Sequence, residues 1–192
     1  MPTPGSLDLP NRIHIFGASG SGCTTLGASV AESLGLPHLE ADAYLWLPTE
    51  PPFTRTRQRD ERQRLLQRDI DLRDNWVLSG SVCGWGDLVK SRLTLAVFVI
   101  VPSPIRMQRL AARESQRLGA TIEPRGVNHD RYVEFMAWAA RYDEGDLSIR
   151  SRALHKQWLA TLSCPVLRIE GDVANDERVS RVVESAGRRP TM

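Results

Sequence analysis

Lysine is nearly absent from this chain. Of 25 basic residues among 192, only Lys90 and Lys156 are lysines, which leaves 23 arginines. Cysteine is scarce as well. Cys23, Cys83 and Cys164 are odd in number and no two have CxxC spacing, which argues against a disulfide framework or a zinc knuckle and for a reducing compartment. The four histidines (His14, His38, His129 and His155) show no HxxxH or HExxH spacing, so no metal cage is expected. No apolar run approaches the roughly 20 residues that span a bilayer. Residues 1–10 carry prolines and Asp8 where a secretory leader would need a basic patch and an apolar stretch. The expectation is a cytoplasmic protein with no membrane partner. A net charge of +2 is too balanced for a dedicated nucleic-acid binder. Asp60, Glu61, Asp69 and Asp71, interleaved among the arginines of residues 55–73, argue against that role for the stretch.

What is present suffices for one folded domain. Hydrophobic residues make up 41% and charged residues 25%, enough to bury a core. We expect a domain over residues 12–187, with loose tails at 1–11 and 188–192. Short apolar runs predict strands at 12–16, 38–41, 76–78, 95–101 and 166–169. The run at 95–101 (LAVFVIV) is continuous, as in parallel strands covered on both faces. Between them, helices are predicted at 23–34, 58–73, 104–118, 130–142, 151–162 and 175–185. Leu65, Leu66, Ile70 and Leu72 form the apolar side of the second, and Arg106, Arg109, Arg113 and Arg117 share one face of the third. Strands alternating with helices predict an α/β fold with a mostly parallel sheet.

The most informative segment is Gly17-Ala18-Ser19-Gly20-Ser21-Gly22-Cys23-Thr24-Thr25. It lies between a predicted strand and a predicted helix. Its glycines let the backbone turn tightly and present successive N–H groups, and the helix N-terminus adds its positive dipole end. Such a cup takes phosphate, and Thr24 offers a hydroxyl to Mg²⁺. Cys23 has two readings: a thiol activated at a helix N-terminus, or a small residue tolerated in the loop. Acidity follows at Glu40-Ala41-Asp42, where strand alternation would put both carboxylates on one side; the alternative, of equal weight, is that Asp42 caps the following helix. Trp46, Phe53 and Trp85 could line a pocket for a flat or apolar acceptor, with Arg55 or Arg57 meeting an anion; equally, the tryptophans could close a small core.

The glycine segment resembles the P-loop of nucleoside-monophosphate and shikimate-type kinases, GxxGxGK[ST], with Cys23 at the lysine position. The resemblance implies a three-layer fold with five parallel strands ordered 2-3-1-4-5. It also implies an acceptor-side segment near 43–73 and a helical lid insertion near 114–128. ATP and Mg²⁺ would be bound, with the γ-phosphoryl passing to a nucleotide or small metabolite. Gly17 to Thr25 would hold phosphates, and Thr24 and Asp42 the metal. Arg109 and Arg113 have the spacing that places one arginine on adenine and the next on phosphate in adenylate kinases. Arg125 would approach from the lid, and Gly171 and Val173 would lie against the purine edge. Asp42, then Glu40, would serve the acceptor hydroxyl, as in the DxD of shikimate-type kinases. Arg131, Trp138, Arg141 and Tyr142 lie where the family keeps acceptor contacts, and we take Arg141 as the acceptor-binding arginine. The TGDxLR and GFPR segments of adenylate kinases are absent. With the loop lysine missing, a nucleotide-binding sensor without turnover is the alternative, and any replacement cation is expected to be an arginine. The chain is expected as a monomer or homodimer.

Overall fold

A computed structural model describes residues 10–187; residues 1–9 and 188–192, which hold nearly all of the expected tails, lie outside the described residues. The strands are β1 (Arg12–Gly17), β2 (His38–Glu40), β3 (Trp76–Ser79), β4 (Leu95–Ile100) and β5 (Val166–Glu170). They form one all-parallel sheet in the order β2-β3-β1-β4-β5, as expected. Helices α1 (Cys23–Leu34), α2 (Ala41–Leu45), α3 (Arg59–Asp71), α4 (Ser103–Leu118), α5 (His129–Ala140), α6 (Arg152–Leu159) and α7 (Asn175–Gly187) connect or follow them.

Alternation along each strand divides the core into two halves. Ile13, Ile15, Val77, Val97 and Val99 meet Leu26 and Val30 of α1 and Val182 of α7. On the other face Phe16, Trp76, Leu78 and Phe98 meet Leu66 and Ile70 of α3 and Trp158 and Leu159 of α6. Each fully buried side chain of this size contributes about 1.5–3 kcal/mol. The sheet thus carries helices on both faces, which is why β4 reads as an unbroken apolar run.

Three sequence expectations need correction here. Leu72 is 74% exposed, because α3 ends at Asp71 and Leu72 is its C-cap. Arg106 does not share an exposed face with Arg109 and Arg113. It is fully buried, donating from Nε to the Val101 carbonyl at 3.0 Å and pairing with Asp143 at 2.6 Å. Strand β2 stops at Glu40, the N-cap of α2, so Glu40 and Asp42 do not alternate on one strand.

Two histidines sit inside the α3/α6 layer. His14 follows Ile13 on β1 and therefore points with Phe16, stacking on its ring at 4.7 Å. Its Nε2 donates to the Gly80 carbonyl at 2.9 Å. His155 of α6 bridges Tyr142 (2.7 Å) and Ser81 (2.9 Å) through its two ring nitrogens. Burial pulls both below the ordinary 6.5, to about 4 for His14 and about 3 for His155, where the nearby Arg150 charge adds to the effect. The unfolded chain therefore binds protons below pH 6.5 that the folded chain refuses. Stability is full above that pH and falls on acidification, each histidine contributing about 1.4 kcal/mol per pH unit down to its folded value. Urea unfolding at pH 7 and pH 5 should show this loss, and His14→Phe should remove about half of it, the His155 share remaining.

Candidate functional site

The chain leaves the central strand β1 at Gly17 and enters α1 at Cys23. The loop between them is pressed on by its neighbours. A Cβ on Gly17 would lie 2.4 Å from the Val99 carbonyl oxygen, and one on Gly20 2.6 Å from that of Arg106. Gly20 and Gly22 take φ of +79° and +82°, the left-handed region that side chains avoid. Gly22 is the N-cap of α1 and supplies no side-chain cap. The ladder begins only with Leu26 N–H to the Gly22 carbonyl at 3.0 Å. The N–H groups of Cys23, Thr24 and Thr25 thus precede it, leaving an uncapped, dipole-positive end beside the loop. That is the physical requirement for an anion cradle.

A cavity of about 290 Å³ opens over this loop. Gly17, Ala18, Ser19, Gly20, Gly22, Cys23, Thr24 and Thr25 form its floor; Asp42, Gly80, Ser81, Arg109, Leu110, Arg113 and Arg150 form its walls. It lies outside the carboxyl ends of the strands, where open parallel sheets bind ligands. Ser21 is fully buried, donating to the Ala18 carbonyl at 2.7 Å and lying 3.2 Å from the Cys23 sulfur. Burial pushes the Cys23 thiol up to about 11. It is a neutral group, and the activated-thiol reading of the sequence is set aside.

Arg109 pairs with Asp172, fastening α4 to the turn after β5. In that turn Gly171 takes φ +91° and donates to the Ile100 carbonyl at 2.9 Å. Val173 packs into the α1/α7 half of the core. Neither lines the cavity. Arg113 is exposed and bonds to Glu114 at 2.9 Å. Arg125 and Arg141 are exposed and contribute to neither cavity: Arg125 sits in the loop beyond the Gly119–Ile122 turn, and Arg141 is the C-cap of α5. Glu40 points to solvent, because the chain turns into α2 after it; Asp42, one step into that helix, reaches the cavity.

The expected aromatic pocket divides. Trp46 and Phe53 stand edge to face at 5.9 Å and line a second cavity of about 260 Å³ with Arg57. Trp85 is buried in the α3/α6 layer instead, its carbonyl accepting from Gln63 at 2.5 Å. Arg55 is exposed, its carbonyl accepting from Leu47 N–H. Arg131 donates to the Pro52 and Phe53 carbonyls at 2.6 Å each, so α5 holds this loop.

One residue of the wall had no signal in the sequence. Arg150, in the connection from α5 to α6, donates to the Ser19 hydroxyl of the glycine loop. Its guanidinium lies 4.7 Å over the Trp138 ring, and its buried Nε has no partner. Burial pulls its pKa down, while the nearby Asp42 carboxylate acts in the opposite sense.

The strand order, the glycine loop after β1 and the sheet-end cavity define a P-loop kinase-like fold. A shikimate kinase from Acinetobacter baumannii, solved with shikimate, superposes with a TM-score of 0.52 at 16% identity, over 92% of this chain and 93% of that one. The chain belongs to the same family as YqaC of Bacillus subtilis, described as an uncharacterized protein, with 46% identity over 176 residues, 92% of this chain and 97% of the relative. A cytidylate kinase of Natronomonas pharaonis is 32% identical over 115 residues, 54% of this chain and 59% of that protein. No family model matches.

Gly20→Ala should destabilise the fold by about 2 kcal/mol or more, combining the left-handed cost with the Arg106 contact. Gly84→Ala, at a similar φ of +83° with open space around it, should cost only about 1 kcal/mol; urea titrations compare the two. Cys23 should alkylate at pH 8 about a hundredfold more slowly than an unstructured cysteine, with peptide mass spectrometry as the readout and urea restoring the rate.

Proposed function

We propose that this protein binds ATP over the loop of residues 17–25 and transfers the γ-phosphoryl group to a small acceptor, a nucleotide or a hydroxylated metabolite. The observation that carries the reading is the uncapped N-terminus of α1, standing with its glycine loop in one cavity opposite Asp42. The partial match to a cytidylate kinase supports phosphoryl transfer as the reaction class.

Loop and α1 amides bind the phosphates, and Arg109 and Arg113 stand beside them to neutralise charge. The acceptor is placed toward Asp42, with Trp46 and Arg57 on the acceptor side. Asp42 takes the proton of the acceptor hydroxyl, whose oxygen bonds to the γ-phosphorus as the bond to the bridging oxygen of ADP breaks. Residues 114–128 form the lid, carrying Arg125 inward on closure. The metal donors facing the cavity are hard oxygens and one thiol that burial keeps protonated, and no cluster of three or more His, Cys, Asp or Glu exists among the described residues. That set fits Mg²⁺, which is held by one or two protein oxygens together with phosphate oxygens and water. Thr24 and Asp42 would hold it, and it would supply neutralisation of phosphate charge.

The neutral Cys23 at the lysine position favours a second reading, a nucleotide sensor without turnover. Under both readings Mg-ATP raises the melting temperature, with about 2.7 kcal/mol of stabilisation at a hundred times Kd. Absence of a shift with both Mg-ATP and Mg-ADP overturns both. Turnover across a panel of nucleoside monophosphates and hydroxylated metabolites decides for the kinase; ATP binding with no turnover on any of them decides for the sensor.

A further inference from the structure

The glycine loop has the amides of a phosphate site but no lysine. Four other arginines approach it, and each is engaged. Arg109 is paired with Asp172, Arg113 with Glu114, and Arg106 is sealed beneath with Asp143. Arg178 of α7 donates to the Ser21 carbonyl at 3.1 Å, so it braces the loop from its carbonyl side.

Arg150 alone among them combines a place in the cavity wall with a side-chain contact to the loop and no ion pair. It lines the cavity, it reaches the loop at Ser19, and no carboxylate forms an ion pair with it among the described residues. The Trp138 ring supports one face of the guanidinium, and the buried Nε awaits an acceptor. A guanidinium keeps its charge at neutral pH even when burial opposes it, and its planar fork suits phosphate oxygens. We infer that Arg150 supplies, from the α5–α6 connection, the fixed cation that the phosphate loop lacks at Cys23. This inference rests on the phosphate-binding reading of the loop and names the cation that completes it.

The test is a cycle of Arg150→Met, Arg150→Lys, Cys23→Lys and the double variant Cys23→Lys/Arg150→Met, with calorimetric titration of Mg-ATP and inorganic tripolyphosphate. Arg150→Met should weaken Mg-ATP about ten- to hundredfold, the range for lost charged hydrogen bonds. Arg150→Lys should recover part of the loss, and Cys23→Lys should restore binding in the Arg150→Met background. Tripolyphosphate should follow the same order, because the contact is to phosphate. A second readout needs no ligand. In the free protein Cys23→Lys places two cations together and should lower the melting temperature, while the double variant should melt above the sum of the two single shifts.

Wild-type affinity retained in Arg150→Met, or no rescue by Cys23→Lys, overturns the inference and leaves the phosphate-binding reading standing. If the wild type binds neither probe, the phosphate-binding reading fails instead. The ligand-free cycle then still decides whether Arg150 occupies the lysine's place: additive shifts overturn it, and positive coupling supports it. If Arg150→Met loses its cooperative melt, Arg150→Lys with and without Cys23→Lys supplies both comparisons, with weakened binding expected in the single variant and recovery in the pair.

Discussion

Close packing at the carboxyl end of β1 is the constraint on which this molecule depends. The Val99 carbonyl presses on Gly17 and the Arg106 carbonyl on Gly20, so the connection to α1 has to be made of backbone with almost no side chain. That requirement leaves the loop's N–H groups open, which is the geometry a cradle for an anion needs. Gly22, which begins α1 without a capping side chain, is required for another reason, its left-handed φ of +82°. Structural economy and phosphate chemistry meet at the same three glycines.

The arginine excess divides into distinct physical roles. Arg106 is an internal tie, its charge balanced by Asp143, which Arg152 also approaches at 2.9 Å. Arg178 braces the loop from below, and Arg131 fastens α5 to the proline-rich segment near Phe53. Arg117 lies 5.2 Å over the Phe53 ring from the opposite side. The wall around the cavity is thus assembled by guanidinium groups acting on carbonyls and rings, uses that a lysine's compact ammonium fits poorly. Arginine in this chain is building material as well as charge.

How much of this was legible in the sequence follows from the range of the forces involved. β4 announced itself because a strand covered on both faces admits only apolar side chains. The glycine loop did so because steric exclusion leaves a pattern of small residues. Asp42 was legible as a neighbour of the glycine loop, whereas its expected alternation with Glu40 along one strand does not occur. Whether β2 continues past Glu40 depends on the start of α2, a boundary decided by a single residue. Trp85 illustrates a different limit: an aromatic can line a pocket or fill a core, and only the packing of α3 decides. Arg150 was invisible because its importance comes from a contact across 131 positions of sequence, from a connection with no periodicity. One trace existed, a glycine loop without a lysine in a chain rich in arginine, which pointed to a residue type without a position.

The lining of the main cavity has a chemical consequence of its own. Hydroxyls, a carboxylate, guanidinium groups and one neutral thiol surround it, and among the described residues no primary amine does. Acylating reagents and simple aldehydes, which react with a lysine amine, have no such target among these residues. Lys90 is held by Asp87 near the Trp158 ring, and Lys156 lies on α6. A guanidinium is a poor target for acyl phosphates and is not a substrate for lysine acetylation, so neither modification reaches this loop through Cys23 or Arg150.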